Sequence, residues 1–132
     1  MDQEANQIME QLCASDTRYR RDAYDFILEA LSFTQKKFRR VKHVSGKELL
    51  EGAKELLISR FGPMTLSVLE YWGIKTTEDF GYIVFNLVEH KILSRTDEDS
   101  MEDFKNGYDF QKVFNAEYQE KLAKQIRKLR GT

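Results

Sequence analysis

Apolar residues recur at helical spacing along most of the chain. They return every three or four positions in residues 21–38, 45–61 and 78–93, which places them on one face of a helix. Shorter stretches with the same spacing cover residues 6–14 and 64–73. The pattern therefore predicts a mainly α-helical protein, with five helices in the first two thirds of the chain.

Capping residues mark the ends of two of these predicted helices. Ser45 and Glu48 have the spacing of a capping box, and Gly62 with the following proline ends the pattern that they begin. Thr76 or Thr77 is suited to begin the helix over residues 78–93. These two helices are the best defined by sequence.

The order of the elements predicts a winged-helix-like core. A short helix over 64–73 is followed by a turn and then by the longer helix over 78–93. Residues 92–96 have strand-like composition, and residues 107–110 are placed to return antiparallel to them. We predict a mainly α fold: a winged-helix-like helical core with a small β-hairpin, flanked by N- and C-terminal helices.

Residues 110–131 are predicted to form a basic amphipathic helix. Its apolar positions are Phe114, Tyr118, Leu122, Ile126 and Leu129. The favoured interpretation is that this stripe packs on the domain while the cations complement the helix dipole. The domain prediction is a single domain, 1–132, with a core over 16–115 and a basic amphipathic C-terminal helix over 116–132.

Four phrases of the sequence resemble a known family. They are HVSGKELLEG, FGPM, TEDFGYIVFNLVE and DSMEDFKNGYDF. The chain between residues 20 and 115 resembles an uncharacterised family of small bacterial domains known only as hypothetical proteins. The resemblance implies a shared fold and a bacterial cytoplasmic setting, and it brings no activity, cofactor or catalytic residue.

Composition is that of a soluble globular protein. The chain has 132 residues, of which 41% are hydrophobic and 33% charged, and this length suffices for one buried core. Cys13 is the only cysteine, which excludes an intramolecular disulfide and favours a reducing compartment. No apolar run is long enough to span a membrane, and the first 15 residues are unlike a secretory signal. These features predict a cytoplasmic protein.

Charge is unevenly distributed along the chain. Residues 61–117 carry 5 basic and 11 acidic side chains, whereas the last 15 residues carry 5 basic and 1 acidic. Such asymmetry indicates either oppositely charged partner surfaces or acidic and basic elements that face each other within the fold.

The predicted helix over 78–93 occupies the recognition-helix position of a winged helix, but it is poorly suited to DNA. Its outward face carries Glu78, Tyr82, Phe85, Asn86 and Glu89. Only the asparagine resembles a base-reading residue, and the carboxylates would repel the phosphate backbone. Major-groove reading by this helix is therefore not expected.

Aromatic residues set among charges favour protein binding instead. Tyr82 and Phe85, with Glu78 and Glu89 beside them, have the composition of an interaction hot spot unless a terminal helix covers them. We predict a non-catalytic cytoplasmic protein-interaction or adaptor module with an unidentified protein partner. These four residues are its candidate surface.

The alternative is a nucleic-acid-binding protein that uses two basic segments, 36–42 and 121–130. The candidate basic surface consists of Lys121, Lys124, Arg127, Lys128 and Arg130. A helix of this composition is also suited to an anionic membrane or an acidic partner.

Metal binding and catalysis find little support in the sequence. Asp97 and Asp99 begin like a calcium loop, but Met101 stands where an oxygen ligand belongs and Glu102 where the loop needs glycine. His43 and the other histidine, at position 90, are far apart, and there is no phosphate-binding glycine loop or nucleophile motif. No cofactor, metal site or enzymatic activity is expected.

Overall fold

The computed structural model of the protein describes residues 3–94 and 101–131. Its α-helices are α1 (Gln3–Ser15), α2 (Arg21–Lys37), α3 (Gly46–Phe61), α4 (Thr65–Trp72), α5 (Thr77–Glu89) and α6 (Tyr118–Leu129). Short 3-10 segments lie at Gly62–Met64 and Met101–Phe104, and a π-helical segment, Lys112–Glu117, runs directly into α6. The prediction of a mainly α-helical protein is confirmed.

Local sequence signals set the ends of α3. The hydroxyl of Ser45 accepts a hydrogen bond from the N–H of Glu48 at 3.1 Å, and the Glu48 carboxylate accepts one from the N–H of Ser45 at 2.9 Å. Two N–H groups that the helix leaves without partners are thereby satisfied. The helix ends at Phe61, before Gly62-Pro63, so the predicted capping box and stop are both confirmed.

Helices α2 and α3 form the main helix pair of the fold, and each of them also contacts α4 and α5. Helix α2 packs along α3. At its contact with α3, a Cβ atom on Gly52 would lie 1.9 Å from Oγ1 of Thr34, so the two helices approach too closely for a side chain at position 52. The fully buried large side chains are Leu12, Tyr24, Ile27, Leu57, Leu69, Ile74, Phe80, Ile83 and Leu87.

The linker between α1 and α2 packs on the turn between α4 and α5. The N–H of Arg20 donates to the carbonyl of Trp72 at 3.2 Å. Gly73 ends α4 with a φ of +88°, and a Cβ on it would lie 2.0 Å from the Arg18 carbonyl oxygen. Only glycine accommodates both this left-handed backbone and this contact. The linker is thereby held beside the first turns of α5.

The predicted β-hairpin is not found, because the described residues contain no strand and residues 107–110 lead into a helix. Residues 95 and 96 of its first predicted strand lie outside the described residues. The N–H of Gly107 donates to Oγ1 of Thr77 at 3.1 Å, and that hydroxyl donates to the carbonyl of Phe104 at 2.7 Å. The Tyr108 hydroxyl donates to the Leu50 carbonyl at 2.7 Å. This stretch is therefore held by α3 and α5 rather than by a neighbouring strand.

The predicted packing of the C-terminal stripe on the domain is also wrong for its outer half. Phe114 is buried and Leu122 half-buried, but Ile126 is 42% and Leu129 88% exposed. Both residues are therefore exposed among the described elements, and the side chain of Tyr118, which belongs to the same predicted stripe, lies outside the described part of the structure. None of the helices in the described ranges is long and apolar enough to cross a bilayer.

Candidate protein-interaction surface

Helix α5 presents a buried face and an exposed aromatic face. Its inner face contributes Phe80, Ile83 and Leu87, all fully buried. On the other side, Tyr82 is 39% and Phe85 55% exposed. No described terminal helix covers these two rings, so the alternative that the fold buries them is excluded within residues 3–94 and 101–131.

An arginine from the α1–α2 linker completes this face. The Arg18 guanidinium lies 4.8 Å from the centroid of the Tyr82 ring and 5.1 Å from that of Tyr19. The same guanidinium forms an ion pair with Asp16, with 2.7 Å between Nη2 and Oδ2. Arg18 is therefore held in place on one side by a carboxylate and on the other by an aromatic ring.

We define the Tyr82 surface as Arg18, Glu78, Tyr82, Phe85 and Glu89. The four residues predicted from sequence all belong to it, although Glu78 is half-buried and accepts a hydrogen bond from the N–H of Asn106 at 3.3 Å. Glu89 is exposed. Arg18 was not predicted as part of this surface, because it lies 60 positions before Glu78 in the sequence. The only sequence signal for it is the alternation of arginine and tyrosine in TRYR between two helices.

Asn86 is used within the fold. Its side-chain amide donates to Oδ2 of Asp16 at 2.8 Å and to the Tyr24 hydroxyl at 3.0 Å. The hydrogen bond from Arg18, with help from Asn86, holds the pKa of Asp16 well below its usual range, and burial raises the pKa of Tyr24 to about 12. The one residue of α5 that resembled a base reader is thus engaged in holding α5 to the linker.

The acidic first turn of α5 is also structural. The Asp79 carboxylate accepts hydrogen bonds from the N–H groups of Lys75 at 2.7 Å and Thr76 at 3.1 Å. It also accepts one from the Tyr19 hydroxyl. Burial, together with this hydrogen bond, raises the pKa of Tyr19, which stays protonated as a donor. These contacts fix the start of α5 beneath the Tyr82 surface.

The two basic segments differ in how they are used. In residues 36–42, Lys37 pairs with Glu55 at 2.5 Å and Arg40 with Glu48 at 2.9 Å, so part of this charge is neutralised by α3. In contrast, the members of the predicted basic surface on α6 are all exposed: Lys121, Lys124, Arg127, Lys128 and Arg130.

Features with catalytic or metal-binding potential are sparse. Across residues 3–94 and 101–131, no three or more histidine, cysteine, aspartate or glutamate side chains are grouped closely enough to hold a metal ion. Asp97 and Asp99 of the rejected calcium loop lie outside the described residues. Cys13 is half-buried, and burial raises the pKa of its thiol, which disfavours the reactive thiolate.

The comparisons with known proteins add no assignment to this geometry. No protein-family model, curated protein or solved structure matches the chain at a significant level.

Proposed function

We propose that this chain is a non-catalytic protein-interaction module that binds its partner through the Tyr82 surface. The proposal rests on one observation: Tyr82 and Phe85 stand exposed on a helix whose opposite face is deeply buried, with the Arg18 guanidinium stacked on the tyrosine ring. Aromatic residues and arginine are the side chains most enriched at the centres of protein interfaces.

The rigidity of this surface supports binding. Asp16 holds Arg18, and Asn86 joins α5 to the linker, so little side-chain freedom remains to be lost on association. The carboxylates of Glu78 and Glu89 lie at its edge. The partner that fits this chemistry presents an apolar patch bordered by basic side chains.

The winged-helix-like core, the family and the cellular location belong to the same proposal. The order of α3, α4 and α5 is compatible with a winged-helix-like core without its wing, of a kind that also serves in protein interaction. Membership of the family of small bacterial domains, and a bacterial cytoplasmic location, are predictions that rest on the sequence phrases alone.

Nucleic-acid binding is the second candidate, and it now depends on α6. Residues 36–42 share their charge with α3, whereas the five cations of the basic surface are exposed. Phosphate binding would use these cations and would weaken steeply with added salt.

Capture of partners from a native lysate tests both candidates. The wild-type chain is compared with Tyr82→Glu/Phe85→Glu, and with Met64→Glu/Tyr71→Glu as a matched control. The control pair is also exposed, at 59% and 61%. We expect a nuclease-resistant partner that the first variant loses and the control retains, with both variants showing the wild-type circular dichroism spectrum.

Two results would contradict the protein-interaction proposal. The first is a partner that the Tyr82 surface variant still captures as well as the wild type does. The second is capture that nuclease abolishes, and that is also lost when Lys121, Lys124 and Lys128 are changed to glutamine. The second result would establish the nucleic-acid candidate instead.

A further inference from the structure

A groove separates α6 from α3. Its volume is about 540 Å³, and Ile58, Val113 and Leu122 provide its apolar surface. The cations that line it are Lys54, Lys121 and Lys124. Glu120 also lines the groove and lies 3.9 Å from Lys124, and Lys54 pairs with Glu51 at 3.2 Å. The groove therefore combines aliphatic side chains with an excess of positive charge.

The apolar surface continues along α6 beyond the groove. Ile126 and Leu129 follow Leu122 at spacings of four and seven residues, which places all three on one stripe of the helix. Their exposure rises towards the C-terminus, to 42% at Ile126 and 88% at Leu129. Three aliphatic side chains in line, one of them in a groove, are the kind of surface that an amphipathic helix covers.

The charges on either side of the stripe indicate what kind of helix would bind to it. At 100° per residue, Lys121 and Lys128 fall on one side of the stripe and Arg127 and Arg130 on the other. Because both sides are basic, two copies of α6 packed stripe to stripe would place like charges opposite each other. An occupant with acidic side chains on both sides of its own apolar stripe is complementary.

Shape distinguishes this occupant from a nucleic acid or a membrane. A nucleic acid would use the cations but has no need of the aliphatic stripe. A bilayer surface is flat and would reach Leu129 but not the groove between Leu122 and Ile58. A helix is about 10 Å across with its side chains, and it can lie in the space between two helices.

We propose that the groove between α3 and α6 binds an acidic amphipathic helix of a partner protein. Aliphatic residues of that helix contact the Leu122–Leu129 stripe and Ile58, while its carboxylates pair with Lys121 and Lys128. This second docking surface goes beyond the Tyr82 surface, from which it differs in position and in the sign of its charge.

The test uses the full chain as bait for a displayed library of random peptides about 18 residues long, which is five helical turns. We expect enriched peptides to carry net negative charge and aliphatic residues at spacings of three or four. A synthetic peptide of enriched sequence is then titrated against variants. Lys121→Glu/Lys128→Glu and Leu122→Ser/Ile126→Ser are each expected to weaken its binding by about tenfold or more.

Two controls make the result specific. Lys36→Glu/Lys42→Glu introduces the same charge change at two exposed residues of the other basic segment, and it is expected to leave peptide affinity within about twofold of the wild type. Tyr82→Glu/Phe85→Glu is expected to have no effect on the peptide. Failure of the protein-interaction proposal at the Tyr82 surface would thus be distinguishable from failure of this one.

The remaining outcomes would overturn the proposal. These are a library that yields no enriched peptide, enrichment without acidic residues, and binding that the groove variants do not weaken. Vesicles of phosphatidylglycerol and phosphatidylcholine, and a DNA duplex, are tested in parallel. Binding to either that the groove variants abolish, without peptide enrichment, would assign α6 to a lipid surface or to nucleic acid.

Discussion

The side-chain amide of Asn86 donates a hydrogen bond to Oδ2 of Asp16 at 2.8 Å, which joins the middle of α5 to the linker between α1 and α2. Asp16 in turn holds Arg18 on the Tyr82 ring. The aromatic surface of α5 and the position of the first helix therefore depend on the same half-buried contact.

Removal of this amide is expected to destabilise the fold. Asn86→Ala leaves the Asp16 carboxylate and the Tyr24 hydroxyl each without one hydrogen-bond partner, and we expect a loss of about 1–3 kcal/mol in the free energy of unfolding. Urea denaturation at neutral pH measures it. Asn115→Ala, at an exposed position, is the control and is expected to change stability by less than about 0.5 kcal/mol. Equal losses in the two variants would show that the contact does not stabilise the fold.

The same carboxylate predicts a pH dependence. Its folded-state pKa is lowered, so ionised Asp16 stabilises the fold above its ordinary pKa of about 3.9. That contribution is lost as the pH falls below about 4, towards the folded-state pKa. We expect Asp16→Asn to be less stable than the wild type at pH 7, with the difference shrinking steadily under acid. A difference in unfolding free energy that stays constant between pH 7 and pH 3 would contradict this assignment.

Gly73 offers a test of the contact between the linker and the α4–α5 turn. An alanine there would combine a left-handed backbone with a clash against the Arg18 carbonyl, and we expect a loss of more than about 2 kcal/mol. Gly131 has a similar φ of +74° but nothing within 4 Å of its Cβ position. Gly131→Ala therefore carries the backbone cost alone and is expected to lose no more than about 1 kcal/mol. Thermal unfolding of both variants separates the cost of the left-handed backbone from the cost of the clash.

Gly52→Ala is expected to have the opposite effect on stability from the same substitution in most helices. Alanine normally stabilises a helix interior by about 0.5–1 kcal/mol relative to glycine. Here the added methyl group would meet Thr34, so we expect Gly52→Ala to destabilise the protein by about 1–3 kcal/mol. In a Thr34→Ala background, which removes Oγ1 and Cγ2, the penalty is expected to fall. A stabilised Gly52→Ala protein would show that α2 and α3 are not this closely packed.

Sequence predicted those parts of the fold that depend on short spacing. The bond between Ser45 and Glu48 spans three residues, and the apolar repeat of α5 lies within its 13 residues, so both are visible in a local window. Tyr82 and Phe85 were identified because the same repeat leaves them on the outer face. The two rings are exposed because no described helix covers this face.

Contacts between residues that are far apart in the sequence could not be predicted from local spacing. The hairpin prediction failed because residues 107–110 are held by Thr77 and Leu50, and nothing near Gly107 in the sequence indicates either partner. Arg18 could not be predicted for a similar reason, because its stacking partner Tyr82 lies 64 positions later. The contact between Asp79 and the Tyr19 hydroxyl spans 60 positions and is likewise invisible in a local window.

The π-helical segment Lys112–Glu117 sets the rotational phase of the helix that follows it. A turn closed by an i→i+5 bond contains about one extra residue, which sets the phase of α6 back by roughly 100°. This offset turns the stripe of Leu122 towards the side that Phe114 buries. Loss of a single residue from the segment would restore regular α-helix and turn the stripe away from Phe114, so the length of these six residues, rather than their chemistry, decides which face α6 offers.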